Sequence, residues 1–479
     1  MKATPWKAPR SLLPLAALTA ALLASCATGP DYKRPDTAVP AQFRAEIAPS
    51  DANSLADLPW WSVFEDKALH ELVVQALAHN YDLQIAVSRI EQARQQVLQV
   101  KADAQPQIGY QAGAGVQKAF APSPNGEPGT ISYGAIAGLF NAAWEFDFWH
   151  RIQHATEAAE ANVLAQEDIR RGVVLTLVSD LAADYFHLLE LDRELAIAEE
   201  SSRVYKRTLD LFSDRFHAGR DNELPVQRTQ AAYDASSASI ASLKLQIGQL
   251  EDAISILAGD YPHDIPRGGL LTDQATPPTP VGLTTDVMRR RPDILQAEQS
   301  MIQANAQIGV AVANFYPRVG ISALFGGQGA GFDGTFNAFT IAGILGNIAG
   351  PIFDGGRLKA AYHERQAFWD ETVAQYKKTV LGAFRETSDA LIAQQNLVVQ
   401  RRHEEVQIQA LQRSVDLALL RYDSGRSSYL EVLEAEQQLF PAQDALAQTQ
   451  RDQLLAVVSL YKALGGGWKL TPEQWSQRG

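Results

Sequence analysis

Side chains whose type and spacing could do chemistry are few in this chain of 479 residues. There is a single cysteine, Cys26, and the nine histidines do not cluster. A lone cysteine excludes an internal disulfide framework and makes a Cys-based zinc site within one chain implausible. No Gly-x-Ser-x-Gly, phosphate loop or His-Glu-x-x-His is present, so no catalytic residue, metal ligand or cofactor is expected, and an enzyme is the least favoured class. What remains is charge at two matching stretches. Arg421–Glu434 reads RYDSGRSSYLEVLE, and Arg215–Arg228 reads RFHAGRDNELPVQR. Gly425 and Gly219 hold equivalent places, each after Arg-aromatic-x-x, and are followed by Arg426 and Arg220. A glycine that ends one helix just before another begins is the usual left-handed C-cap, so both stretches read as tips of helical hairpins. Glu431 and Glu434 stand three apart and share a helical face, which could be a functional pair or an ordinary solvated acidic surface.

Such tips need long helices behind them. From Arg151 to about Phe216 the apolar positions Leu177, Leu181, Tyr185, Leu188, Leu191 and Leu195 recur by threes and fours. That predicts one rod on the order of 100 Å long, since each helical residue adds about 1.5 Å. A partner helix follows from about Leu224 to Leu257, then a Pro/Gly-rich connector, Asp260–Pro280. The second half repeats the first. Asp82 and Pro106 bracket a helix at the same separation as Asp293 and Pro317. Arg151 and Gly219 keep the offset of Arg357 and Gly425, which predicts two long helices of equal length. The last helix, about Ser428–Leu464, contains Pro441, where a bend or break is expected.

Between these helices the period changes from 3.6 to 2. Ile108, Tyr110, Ala112, Ala114 and Val116 alternate with glutamines and glycines, as in a strand with lipid or core on one side. A loop, Lys118–Gly129, separates it from a second strand whose face is read as Ile131, Tyr133, Ala135, Ala137 and Leu139. The strand closes on Trp144, Phe146, Phe148 and Trp149, an aromatic cluster of membrane-interface type. The second pair runs from Val319 through a loop at Gly326–Thr335 to a strand within Phe336–Ile352. Four strands cannot close a barrel, and unpaired edges are not tolerated in lipid, so several chains must share one barrel. The alternative is a soluble sheet on a coiled-coil stalk.

Lys2, Lys7 and Arg10 precede the apolar run Leu12–Leu23, and Leu23-Ala24-Ser25-Cys26 follows, which makes a secretory signal. The formal charge is −13, and residues 1–25 hold no acid, so the mature chain is more acidic still. That acidity argues against nucleic acid as a partner. The organisation expected is a signal peptide at 1–25 and an extended tether at 26–60. Repeat 1 spans 61–260, with helices at 67–104, strands at 107–149 and a hairpin at 151–257. A linker at 261–282 leads to repeat 2 at 283–467, with a helix at 293–316, strands at 318–352 and a hairpin at 357–464. A tail at 468–479 ends the chain.

The Leu-Ala-Ser-Cys order resembles the bacterial lipoprotein box, which implies that Cys26 is the acylated first residue of the mature chain; Ala27 after it implies an outer-membrane address. CATGPDYKRP, LPWWSVFEDKAL, RRRPDILQAEQSMIQANAQIGVAVANFYPRV, GPIFDGGRLKAA and YKALGGGW span nearly the whole mature chain. With them the chain resembles the TolC-like outer-membrane efflux proteins, in the OprM/NodT-type lipoprotein branch. The resemblance implies a mainly α fold with transmembrane β, in which a homotrimer forms a twelve-stranded outer-membrane β-barrel on a long periplasmic α-helical barrel. It implies a passive exit duct for drugs and small toxic molecules, lipid-anchored and barrel-inserted in outer-membrane lipid. Its partners would be a periplasmic adaptor and an inner-membrane transporter of the resistance-nodulation-division type. It also implies a gate at the tips: Glu431 and Glu434 as acidic rings, Tyr422 at the family's tyrosine position, and Gly219, Arg220, Gly425 and Arg426 as adaptor-docking points. Ser427 stands where the family has an arginine or aspartate, and Pro225 replaces an acidic partner, so Arg421 and Arg426 are left to supply the positive charge. Protein secretion is the competing role within the family, and a non-conducting coiled-coil lipoprotein the competing role outside it.

Overall fold

The computed structural model describes residues 29–40, 43–44, 55, 60, 63–122, 128–277, 284–332 and 335–466. Cys26, the signal segment and the C-terminal tail lie outside the described residues. The elements in order are α1 Lys67–His79, α2 Tyr81–Ala102, β1 Gln107–Pro122, β2 Pro128–Phe146, α3 Arg151–His217 and α4 Glu223–Leu257. Then come α5 Thr284–Arg290, α6 Pro292–Ala313, β3 Arg318–Phe332, β4 Thr335–Ala349, α7 Arg357–Asp423 and α8 Leu430–Ala463. Both long helices, α3 and α7, contain 67 residues, as the constant offset requires. Helix α8 runs unbroken through Pro441. The expected break is absent because proline removes one hydrogen bond, while the buried face of α8, from Val432 to Ala463, holds both flanks in place.

The chain divides into two compact units that each take segments from both halves of the sequence. The first unit joins residues 90–166 and 297–376 with the N-terminal segment. Its centre is an antiparallel four-stranded sheet in the order β1-β2-β3-β4, so β1 and β4 are edges. The strands run further than the sequence suggests, leaving only 123–127 and 333–334 between them in place of the longer loops expected. Pro122, Pro128 and the glycines Gly326, Gly327 and Gly329 read as loop by composition, but ladder pairing overrides that preference.

Register decides which side chains of β2 share the apolar face of β1, a pairing the alternation alone leaves open. Tyr110 pairs with Phe140, Phe140 with Phe325, and Phe325 with Ala342. Directly paired residues point to the same side of a sheet. One face therefore carries Ile108, Tyr110, Val116, Ile136, Phe140, Phe325, Ile344 and Ile348, all exposed in the single chain. The other carries Gln107, Gln111, Asn141, Gln328 and Asn347, and with them Ala135, Ala137 and Leu139. The odd residues of β2 thus lie on the glutamine face. The ends of the strands are tied to the neighbouring turns: Trp144 Nε1 donates to the Ala104 carbonyl at 2.9 Å, and Trp149 Nε1 to the Pro317 carbonyl at 2.8 Å. Within the same unit, residues 29–35 are anchored. The Asn305 amide donates to the Pro30 carbonyl at 2.7 Å, Tyr32 donates to Glu298 at 3.3 Å, and Arg34 pairs with Glu298.

The strand-to-helix turns are capped alike in both halves. Asp147 accepts the Ile152 and Gln153 N–H groups at 3.0 and 2.8 Å, which satisfies donors in the first turn of α3. Asp354 accepts from Gly356 and Leu358, both at 2.9 Å, and these bonds hold its carboxyl below the usual range.

The second unit joins residues 36–89, 167–296 and 377–479. Its helices enclose Leu181, Tyr185, Phe186, Leu188, Ile254 and Leu454, each under 2% exposed. The buried Asp66 organises one end of it. It caps α1 by accepting the Leu69 N–H at 3.1 Å, and also accepts the Tyr185 hydroxyl at 3.0 Å and the Gln274 amide at 2.8 Å.

Candidate gate at the hairpin tips

Both tips lie in the second unit and end in the same backbone motif. The Arg220 N–H donates to the Arg215 carbonyl at 2.9 Å, and the Gly219 N–H to the Phe216 carbonyl at 2.9 Å. The second tip repeats this with Arg426 to Arg421 at 2.8 Å and Gly425 to Tyr422 at 2.9 Å. These are the two bonds of a Schellman cap. Gly219 and Gly425 have φ of 66° and 67°, a region costly for a side chain, while the space beside each α-carbon is open. The returning helix α4 is capped by Asn222, whose side chain accepts the Leu224 N–H at 3.1 Å. Pro225 falls within its first turn, where a missing N–H costs little.

The predicted gate residues are partly brought together. Arg421 Nε lies 3.3 Å from Glu431 Oε2, with both side chains about half exposed. Glu434 is exposed, and Arg220 and Arg426 pair with no carboxylate among the described residues. Tyr422 and Ser427 are half-buried, and neither Tyr422 Oη nor Ser427 Oγ has a hydrogen-bond partner. The positive charge near Tyr422 comes from Arg215 of the first repeat, whose guanidinium sits 5.4 Å from the ring centroid, a cation–π distance.

A cluster that the sequence reading did not single out lies beneath these residues. Tyr205, Phe212, Ala418, Tyr429, Val432 and Leu433 are buried together, with Tyr422 and Phe440 against them. Tyr429 is its hub. Its ring meets Phe212 edge-on at 5.2 Å and Tyr422 at 5.1 Å, and its oxygen lies 2.7 Å from Thr208 Oγ1. Thr208 Oγ1 also donates to the Val204 carbonyl at 3.0 Å, which uses its one proton, so the Tyr429 hydroxyl donates to it. The seam therefore joins α3 of the first repeat to α8 of the second. A signal existed in the sequence: Tyr429 follows a polar tip, and Glu436 interrupts the apolar stripe Val432, Leu433, Leu439.

Among the described residues, no three His, Cys, Asp or Glu side chains stand close enough to hold a metal ion. Among the described residues, the main cavities are open grooves. One of about 370 Å³ in the first unit is lined by Gln96, Gln303, Gln307 and Asn314 together with alanines.

A sheet with one mainly apolar face and two free edges, in a chain that also builds glycine-capped helical hairpins, defines a subunit of an outer-membrane channel. The family model described as "Outer membrane efflux protein" matches residues 72–260 and 283–466, and the chain belongs to that family. Among curated relatives it is 30% identical to the cation efflux system protein CusC of Escherichia coli K12, over 96% of this chain and 100% of that one. It is 33% identical to the solvent efflux pump outer membrane protein SrpC of Pseudomonas putida, over 96% and 98%. Among solved structures, the open state of the Neisseria gonorrhoeae MtrE outer membrane channel aligns with a TM-score of 0.74 at 27% identity, covering 92% of this chain and 99% of that one.

Proposed function

We propose that this protein is the outer-membrane exit duct of a tripartite efflux pump, a homotrimer that lets small toxic molecules leave passively. The carrying observation is the sheet: one face apolar from Ile108 to Val116, two edges unpaired, in a protein of the outer membrane efflux family. A tilted transmembrane strand needs about 9–11 residues, and these strands have 15 to 19. Edges β1 and β4 must find partners in lipid, and three copies supply twelve strands, an even number large enough to close. Cys26, acylated, would add the lipid anchor. A periplasmic adaptor would dock at the tips around Gly219, Arg220, Gly425 and Arg426, and a proton-driven inner-membrane transporter would choose the cargo.

In this reading the tips are the gate. Three copies of Glu431 and Glu434 ring the mouth and favour cations there. The seam at Tyr429, with Arg215 over Tyr422, takes the place of the latch that Ser427 and Pro225 cannot make. The relatives are named for cation efflux and for solvent efflux, so the cargo class is set by the partner transporter rather than by this duct.

The test is reconstitution of the purified protein. Discrete pores in planar bilayers and cross-linking to trimers are expected, with loss of drug or metal tolerance when the gene is deleted. A monomer without pores would refute the duct. Unchanged tolerance with loss of an exported protein would instead make it a secretion duct.

A further inference from the structure

Glu436 lies on the face of α8 that turns Val432, Leu433 and Leu439 inward. It is 5% exposed, and its Oε2 has no hydrogen-bond partner. An ionised carboxylate there has lost most of its water, and its Oε2 has gained no partner in exchange, which favours the neutral form. Burial accordingly pushes the carboxyl from 4.5 up to about 7. The ionisable groups of the cluster are Tyr205 from α3, Tyr422 from α7, Tyr233 from α4 and Tyr429 beside α8 itself. Burial first, and then the charge of Glu436, push Tyr205 up to about 12. Burial, opposed by the bond to Thr208 and aided by Glu436, does the same to Tyr429. The cations around the cluster are engaged elsewhere: Arg215 over Tyr422, Lys206 with Asp210 and over Tyr233, Arg421 with Glu431.

We propose that Glu436 is a positioning residue of the gate: its neutral carboxyl lets the α3–α8 seam stay docked, and its ionisation, with water entering, releases α8 and the tip it carries. This rests on the reading of the tips as a gate. A gate formed by the second hairpin can open only if that hairpin shifts against the first, and the seam holding Glu436 is where those hairpins meet. The sign follows from proton linkage. The docked state binds the proton more tightly, so docking is strongest below the free carboxyl's 4.5 and weakens as pH rises to about 7. Each pH unit in that window shifts the docking equilibrium by up to roughly tenfold, and above it the curve is flat.

The experiment compares wild-type and Glu436→Gln trimers in planar bilayers from pH 5 to 8. Open probability should rise with pH in the wild type and stay at its low-pH level in Glu436→Gln, which keeps the shape and cannot ionise. A flat wild-type profile, or one that Glu436→Gln retains, overturns the inference. If neither protein conducts, the duct reading fails instead. Hydrogen exchange over residues 428–441 of the same trimers, corrected for its intrinsic pH dependence, then decides: protection that falls with pH in the wild type alone upholds the proposal, and identical profiles overturn it.

Discussion

Thr208 and Tyr429 allow the seam to be tested atom by atom, because the two ends of their hydrogen bond are not equivalent. Thr208→Val removes the acceptor and leaves the Tyr429 hydroxyl buried without its hydrogen-bond partner. An orphaned buried donor costs about 1–3 kcal/mol. Tyr429→Phe removes the donor, but Thr208 Oγ1 still reaches the Val204 carbonyl at 3.0 Å and so keeps its own bond. Only the net worth of one hydrogen bond is lost, about 0.5–1.5 kcal/mol. The double variant has neither polar group, so it should resemble Tyr429→Phe and fall short of the sum by the Thr208→Val cost, about 1–3 kcal/mol, the signature of coupled sites. If the seam parts when the duct opens, a loss of 1–2 kcal/mol raises the ratio of open to closed channels by roughly 5–30-fold. Single-channel recording of the purified trimers reads that ratio directly, and thermal unfolding of the same samples checks that the fold survives. Equal effects of the two single substitutions, or strictly additive effects in the double, would refute the reasoning about which oxygen accepts.

Three further outcomes follow from the same geometry. Glu431→Ala with Glu434→Ala should weaken cation block and raise conductance while costing under about 1 kcal/mol of stability, since the Arg421–Glu431 pair is half exposed; unchanged block in planar bilayers would dispose of the ring. Bulky residues at Gly219 or Gly425 meet open space but must adopt positive φ, at about 1–2 kcal/mol each, so trimers should form on native gels while drug efflux is lost; normal resistance would remove these glycines from adaptor docking. Phe140→Arg should block stable insertion, because a cation on the lipid face costs about 2–4 kcal/mol near mid-membrane. Asn141→Arg, on the glutamine face, should be tolerated, and equal heat-stable trimer yields would contradict the register.

Where one period dominates, the sequence is explicit about structure. The threes-and-fours of Leu177 to Leu195 and the matched glycines specify two helices of equal length, because nothing competes with helical pairing over such runs. Strand β2 is different: Ala135, Ala137 and Leu139 alternate with Ile136 and Phe140, so both faces are apolar and periodicity cannot choose between them. Only the ladder chooses, by setting Phe140 across from Tyr110. The candidate gate shows a third case. Glu431 and Glu434 are visible as a local pair, whereas the bond from Thr208 to Tyr429 joins residues 221 apart and exists only once α3 and α8 are laid together. Glu436 stood in plain view as an acid within an apolar stripe. Local reasoning places such a residue on the helix's wet edge, and its burial shows that the stripe is broad enough to take it in. A buried acid without a partner lowers the stability of the seam that contains it, and a hydrophobic residue there would hold α8 more firmly. A hinge that must release under changing conditions is the setting in which that weakness is useful.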